Sequence, residues 1–453
     1  MARYLYLTKE RQLGIYGAAE AIAATLYRDR SQLEAQQLEA VRQIVDFAYA
    51  NSPFYRERFD AVGYHPGDIT KLTDIKSLPV VRKEDLAAAG KEVFTNRAGE
   101  RGAVRATTGG TTGLSLRFCR DRACNERRRG IDLALNRYYG WRDGEWQGWL
   151  WGAPQDAVQP SGLKARLVRN LATRTFFMDT ARLDTASYQD FIDESLRRQP
   201  TLIGAYPSLA YDLAQRISEG ELPPFQVPVV VVSAESLYEF QRESIEATFA
   251  DHCFSRYGAR EIGTAAFECV RKDGCHIFTD SVYIESEPID DTDTGIGRLL
   301  ITDLYNRAFP LIRYDIGDLG RIDPSPCPCG LNLPRLVDIR GRVTELFVRA
   351  DGSLLPGTEI VTAVGQSGLQ ARVQVVQEAA EAVTVNLEGD PSDHTEELQR
   401  LRRLLQIRLG EAISVSVRSV EKISRTGSGK FPYVVSRVHR ARQAPDIAGE
   451  GPQ

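Results

Sequence analysis

"VPVVVVSAES", residues 227–236, is the stretch on which the fold turns. Val229–Val232 form a short, uninterrupted run of β-branched residues, the composition of a strand buried on both faces. Pro228 stands at its start, where a missing amide donor costs no ladder hydrogen bond. Such a strand needs helices on both sides. "WQGWLWGAP" (146–154), "TLIGAYPS" (201–208) and the valine run alternate with helical stretches at 187–198, 207–218 and 237–250. Strand and helix in alternation predict βαβ units and a mostly parallel sheet, an α/β fold.

Outward from this centre the texture changes. Residues 10–60 carry apolar positions at helical spacing until Ser52-Pro53 interrupts them. From 281 onward, "SVYIESEP", "GRLLITDL" and "PLIRYDIGDLGRI" read as antiparallel pieces. "ARVQVVQEAAEAVTVNLEGD" (371–390) predicts two strands around a turn, followed by a helix at 394–409 and the strand "AISVSVRSV". The expected organisation is a large α/β domain over residues 1–340, a hinge at 341–345, a small α+β domain at 346–440 and a disordered tail at 441–453.

With 453 residues, 42% apolar and 26% charged, the chain has an ordinary globular composition and room for more than one domain. The net charge of −4, from 57 basic and 61 acidic residues, offers no field for nucleic acid. No apolar run reaches the roughly 18 residues a membrane span needs. "MARYLYLTKERQLG" lacks a signal peptide's apolar stretch, and seven scattered cysteines do not form a secreted disulfide framework. A cytoplasmic enzyme is the expectation.

"RATTGGTTGLSLRF" (105–118) packs Thr107, Thr108, Gly109, Gly110, Thr111, Thr112 and Gly113 together. Leu114 stands where a Walker loop needs lysine, so that motif fails. What remains is a run of amides and hydroxyls able to curl round phosphate oxygens. Four further motifs accompany it: "RYGAREIG" (256–263) with Tyr257, Gly258, Arg260 and Glu261; "RYDIGDLG" (313–320) with Asp318; "IRGRVTE" (339–345) with Arg342; and "SRTGSGKF" (424–431) with Lys430. In this order the set resembles the adenylate-forming superfamily of acyl-CoA ligases, adenylation domains and luciferases. "NSPFYRERF", "DIKSLPVVRKEDL", "GAYPSLA" and "SGKFPYVVSRV" look like its phenylacetate–CoA ligase-like branch.

The resemblance implies a large adenylation core, a small mobile C-terminal lid domain and a two-step reaction. A carboxylate attacks the α-phosphate of ATP, giving an acyl-adenylate and pyrophosphate; the thiol of coenzyme A then displaces AMP. Thr107–Gly113 would hold the β- and γ-phosphates, Asp318 and Arg342 the ribose, and Ser233, Ala234, Glu235, Tyr257 and Gly258 the rest of the nucleotide. Glu261 would bind Mg²⁺, a cation that takes oxygen ligands. Lys430 would oppose charge at the α-phosphate, and Arg260 stands where relatives carry a threonine. Thr344 and "VRADGSLLPG" depart from the branch at the hinge, so other acceptors, an amine or a carrier protein, or an unusual acid such as nitrite, form the alternative. A nucleotide binder that has lost catalysis is a third reading. A homodimer is also expected of this branch.

Two further sets stand out. Cys269 and His276 in "ECVRKDGCHIF", with Cys327 and Cys329 in "SPCPCGLNLP", make a Cys₃His set suited to a closed structural Zn²⁺ site, although Cys275 competes as a ligand. Tyr138, Trp149, Tyr206 and Tyr257 are candidates for an acyl pocket that would take an aromatic or arylalkyl acid.

Overall fold

The computed structural model describes residues 14–108, 115–151, 173–178, 183–288, 295–339, 346–349, 351–426 and 430–438. These divide into two units. The first comprises the chain up to Asp338 apart from two short segments, Tyr238–Phe240 and Gly317–Leu319, which group with the second, from Ile339 onward.

The first unit opens with helices Ile15–Thr25, Arg30–Asn51 and Pro53–Asp60. Ser52 adopts an extended conformation between the last two, and Pro53 restarts the helix at its first position, where no amide donor is needed. Helix Lys83–Ala89, between short 3₁₀ turns, leads on to the antiparallel hairpin of β1 (Val104–Thr107) and β2 (Arg117–Arg120).

The remaining strands of this unit form an eleven-stranded sheet among the described residues. They are β3 (Gln147–Leu150), β4 (Thr175–Phe177), β5 (Leu202–Ala205), β6 (Val227–Val232), β7 (Ala250–Ala259), β8 (Gly263–Glu268), β9 (Cys275–Ile277), β10 (Val282–Pro288), β11 (Gly297–Asp303), β12 (Tyr314–Asp323) and β13 (Arg335–Val337). Their order is β10-β11-β12-β13-β9-β8-β7-β6-β5-β3-β4. The half from β7 to β4 is parallel, with helices Thr185–Arg198, Pro207–Ser218 and Glu239–Thr248 in its crossovers. The valine run is its centre: Val230 and Val232 are fully buried in one apolar cluster, while Val229 and Val231 pack into another on the opposite face. The strand starts at Val227, one residue before the Pro228 expected at its first position. Pro228 is passed over in the pairing with β7, which joins Val227 to Ala250 and Val229 to His252.

The second unit holds the short ladder of β14 (Phe347–Val348) with β15 (Leu354–Leu355), then a four-stranded sheet. Its strands are β16 (Val373–Ala379), β17 (Ala382–Glu388), β18 (Ser414–Val420) and β19 (Val434–Ser436), ordered β18-β17-β16-β19. Helices Gly357–Ser367 and Thr395–Leu409 bury Ile360, Val361, Val364, Leu401, Leu405 and Leu409 with Val375 and Val385 of the sheet. The expected tail at 441–453 and hinge at 341–345 lie outside the described residues.

Candidate functional site

Glu261 sits in the tight turn joining β7 to β8, and the sequence explains why that turn can form. A bulge falls between Tyr257 and Gly258. A Cβ on Gly258 would lie 2.1 Å from the Gly263 carbonyl oxygen, so only glycine allows the two strands this approach. The Glu261 carboxylate is 8% exposed. Tyr314, 2% exposed on β12, donates its phenol to Glu261 Oε1 at 3.1 Å. Burial and the neighbouring carboxylate raise the phenol's pKa well above its ordinary value, which keeps it protonated as the donor. Glu261's other oxygen has no protein partner among the described residues and is available to a cation.

The backbone of the turn is held separately. Arg128, on helix Arg122–Tyr138, donates Nη1 to the Arg260 carbonyl at 3.2 Å and Nη2 to the Glu261 carbonyl. The same guanidinium pairs with Asp303 Oδ2 at 2.9 Å. Asp303's other oxygen accepts from the amides of Tyr305 and Asn306. Two side chains from distant segments therefore fix both the main chain and the carboxylate of one residue.

Of the phosphate-loop candidates, Thr107 and Thr108 are described; Gly109, Gly110, Thr111, Thr112 and Gly113 lie outside the described residues. Thr108 closes the neck of the hairpin loop. Its amide donates to the Leu116 carbonyl at 2.9 Å, and its hydroxyl accepts from the Leu116 amide at 2.9 Å. Thr107 is exposed.

Ser233, Ala234 and Glu235 follow β6 at its carboxyl end, where open α/β sheets receive ligands. Ala234 adopts a left-handed φ of 75°. Ser233 Oγ donates to the Arg256 carbonyl at 3.1 Å, and Glu235 Oε2 accepts from the Ser208 amide at 3.0 Å, near the start of helix Pro207–Ser218. Asp318 is half-buried on β12 after Gly317, whose φ is 84°. Arg342 lies outside the described residues. In the second unit, Lys430 is half-buried and its backbone is fixed: its carbonyl accepts from the Thr426 amide at 2.9 Å, and its amide donates to Thr426 Oγ1 at 3.2 Å.

The aromatic candidates separate. Trp149 and Trp151 meet edge to face with centroids 6.0 Å apart, and Trp151 lies 4.5 Å from Tyr206. Phe177 stacks on Trp149 at 6.2 Å. These rings cluster at the carboxyl ends of β3, β4 and β5. Gly204 makes room for Trp149, since a Cβ there would meet the indole at 2.4 Å. Tyr138 is not with this group: it packs edge to face on Phe267 at 5.3 Å, in the apolar cluster that holds Cys269, Cys327 and Cys329. Tyr257 stays on β7, beside the Glu261 turn.

The Cys₃His set comes together. The ligand atoms of Cys269, His276, Cys327 and Cys329 all lie within 4.8 Å of one another. Cys269 Sγ is 3.8 Å from Cys327 Sγ, and Cys329 Sγ is 3.3 Å from His276 Nε2. Tetrahedral Zn²⁺ with bonds of about 2.3 Å to sulfur and 2.0–2.1 Å to nitrogen separates such atoms by about 3.8 and 3.6 Å. His276 Nδ1 lies 3.1 Å from the Leu333 carbonyl, which can only accept, so Nδ1 carries the proton and Nε2 keeps its lone pair. Amides of Arg271 and Leu331 donate to Cys269 and Cys329 sulfurs at 3.4 and 3.5 Å. Cys275 is buried but outside the group.

Residues 347–437 match the family model described as the CapK C-terminal domain. The chain is 27% identical over 434 residues to a phenylacetate-coenzyme A ligase of Aromatoleum evansii, covering 90% of this chain and 95% of that protein. It is also 27% identical over 345 residues to the phenylacetate-coenzyme A ligase of Thermus thermophilus, covering 70% and 72%. Its structure superposes on 2-hydroxyisobutyryl-CoA ligase, solved in the postadenylation state with R3-HIB-AMP, with a TM-score of 0.73, 21% identity and 92% coverage of each chain. The chain has the adenylate-forming ligase fold and is a relative of the phenylacetate–CoA ligases.

Against this relationship, Arg128 and Tyr314 are the residues that sequence reasoning missed. Tyr314 stands inside "RYDIGDLG", four residues before the aspartate, and Arg128 in the basic run "ERRRG" (126–130), where nothing sets it apart from Arg127 and Arg129. Neither carries a local signal, because each acts across the fold.

Proposed function

We propose that the protein is an ATP-dependent, AMP-forming acid–CoA ligase acting on an aromatic or arylalkyl carboxylate. The observation that carries the reading is Glu261, a carboxylate with one oxygen held by Tyr314 and the other available to a cation. Relatives named as CoA ligases support it.

The acid's carboxylate attacks the α-phosphorus of ATP, forming the acyl–phosphate bond as pyrophosphate leaves. Coenzyme A sulfur then attacks the acyl carbon and AMP departs with the bonding electrons. Glu261 would hold Mg²⁺, which neutralises phosphate charge when bound. Lys430 opposes the charge that develops at the α-phosphate, a contribution typically worth about 10² to 10³ in rate. Asp318 and Arg342 hold the ribose, Ser233–Glu235 and Tyr257–Gly258 flank the nucleotide, and Arg260 faces the anionic reactants from the turn. The rings of Trp149, Trp151 and Tyr206 suit an aryl group. The Cys₃His group would hold a structural Zn²⁺, with no position open for substrate.

The test is product analysis with ATP, Mg²⁺, coenzyme A and a panel of aryl, arylalkyl and aliphatic acids. An acyl-CoA formed together with AMP and pyrophosphate is expected. AMP released without thioester, but stimulated by an amine or a carrier protein, would move the acceptor away from coenzyme A.

A further inference from the structure

A nucleoside triphosphate needs cationic side chains round its terminal phosphates, and the loop assigned to them has none. From Thr107 to Leu116 the sequence contains no charged residue. Arg105 and Arg117 flank that stretch, but both are exposed. Arg120, the last residue of β2, differs. It stands opposite Val104 in the register of the hairpin whose tip is the loop, and its Nε is buried with no hydrogen-bond partner.

The carboxylates nearby are committed elsewhere. Asp121, its neighbour, gives Oδ1 to the Cys124 amide at 2.8 Å and Oδ2 to the Arg307 amide at 2.7 Å. Asp303 is bound by Arg128 and two amides. Among the described residues no ion pair to Arg120 is formed. Burial, followed by the like charges of Arg128 and Arg260, pulls the guanidinium's pKa below its ordinary value. A half-buried guanidinium with a buried, unpartnered Nε, like charges beside it and no ion pair among the described residues is a costly arrangement for a protein alone. An anionic ligand with several acceptor oxygens would offset that cost, and the fork of N–H donors matches phosphoryl oxygens.

We propose that Arg120 is the cation of a phosphoryl-anion subsite at the base of the β1–β2 hairpin, taking the pyrophosphate end of the nucleotide in place of a basic residue in the loop. The inference rests on the adenylation reading. Arg120 would then be the protein partner of the β- and γ-phosphates. Asp121 holds the strand end to the segment at Arg307, and Asn306 Nδ2 donates to the Cys119 carbonyl at 3.0 Å, so Arg120 is carried on an anchored backbone.

The experiment is calorimetric titration of the full-length protein with Mg·ATP, Mg·pyrophosphate and AMP, in the wild type, Arg120→Gln and Arg120→Lys. Arg120→Gln is expected to weaken ATP and pyrophosphate about 10- to 100-fold, the range for one charge-assisted interaction, and to leave AMP unchanged. Arg120→Lys is expected to recover part of the loss, as a point charge without the bidentate fork. A purely structural role would lower all three ligands together. ATP and pyrophosphate binding equal to wild type in Arg120→Gln would overturn the subsite alone, as would an equal loss of AMP. A wild type that binds neither ATP nor AMP would overturn the adenylation reading and the subsite with it.

Discussion

At the scale of single residues, the arrangement round Glu261 is the most informative. Its carboxylate would have two equivalent oxygens in solution; the Tyr314 phenol distinguishes them by binding one. Tyr314→Phe removes that donor while keeping the ring's packing. It should raise the Mg²⁺ concentration for half-maximal adenylation several-fold and change the unfolding midpoint little, since a typical hydrogen bond contributes about 1 kcal/mol. A Mg²⁺ titration of the variant that superposes on wild type would remove Tyr314 from the site. Gly258→Ala is a harsher change, because its new Cβ meets backbone rather than a movable side chain. It should destabilise the protein by about 1–3 kcal/mol, as overpacking does, and thermal unfolding would reveal it.

At the scale of elements, the Cys₃His group joins the turn after β8, strand β9 and the loop before β13. Cys269 precedes the turn, His276 lies on β9, and Arg335 of β13 pairs with His276 in the register. If the group holds Zn²⁺, Cys329→Ser should lower both the bound zinc and the unfolding midpoint. Metal analysis that finds no zinc in wild type would refute the site. Burial also holds the His276 pKa below its ordinary value. The neutral imidazole is the form that a metal ligand requires.

Element by element, legibility followed how local each signal was. The parallel half of the sheet could be read because a strand buried on both faces is a continuous apolar run between helices, as at Val229–Val232. The antiparallel half could not be ordered, because β13 inserts between β12 and β9 by pairings that no adjacent residue announces. Helix Gly357–Ser367 was also hidden: "GTEIVTAVGQS" is rich in glycine and β-branched residues, and tertiary burial of Ile360, Val361 and Val364 overrides that weak propensity. Similarly, Glu261 and the four metal-type ligands were legible from motifs and residue chemistry. Arg128 and Tyr314 were not, since their partners lie far along the chain. Tyr138 shows the limit of aromatic composition, which does not say which rings share a cluster.

At the scale of the whole molecule, we propose that Glu261 and the hairpin of the first unit serve the nucleotide phosphates and that Lys430 of the second is the cation for the α-phosphate. The role given to Lys430 is the sharpest part of that proposal. It is tested most directly by carboxylate-dependent ATP–pyrophosphate exchange, measured over aryl and arylalkyl acids in wild type and Lys430→Ala. Exchange with at least one such acid is expected, with a fall of about 10² to 10³ in the variant while ATP still binds. Exchange undiminished in Lys430→Ala, or supported by no carboxylate in the wild type, would refute that role.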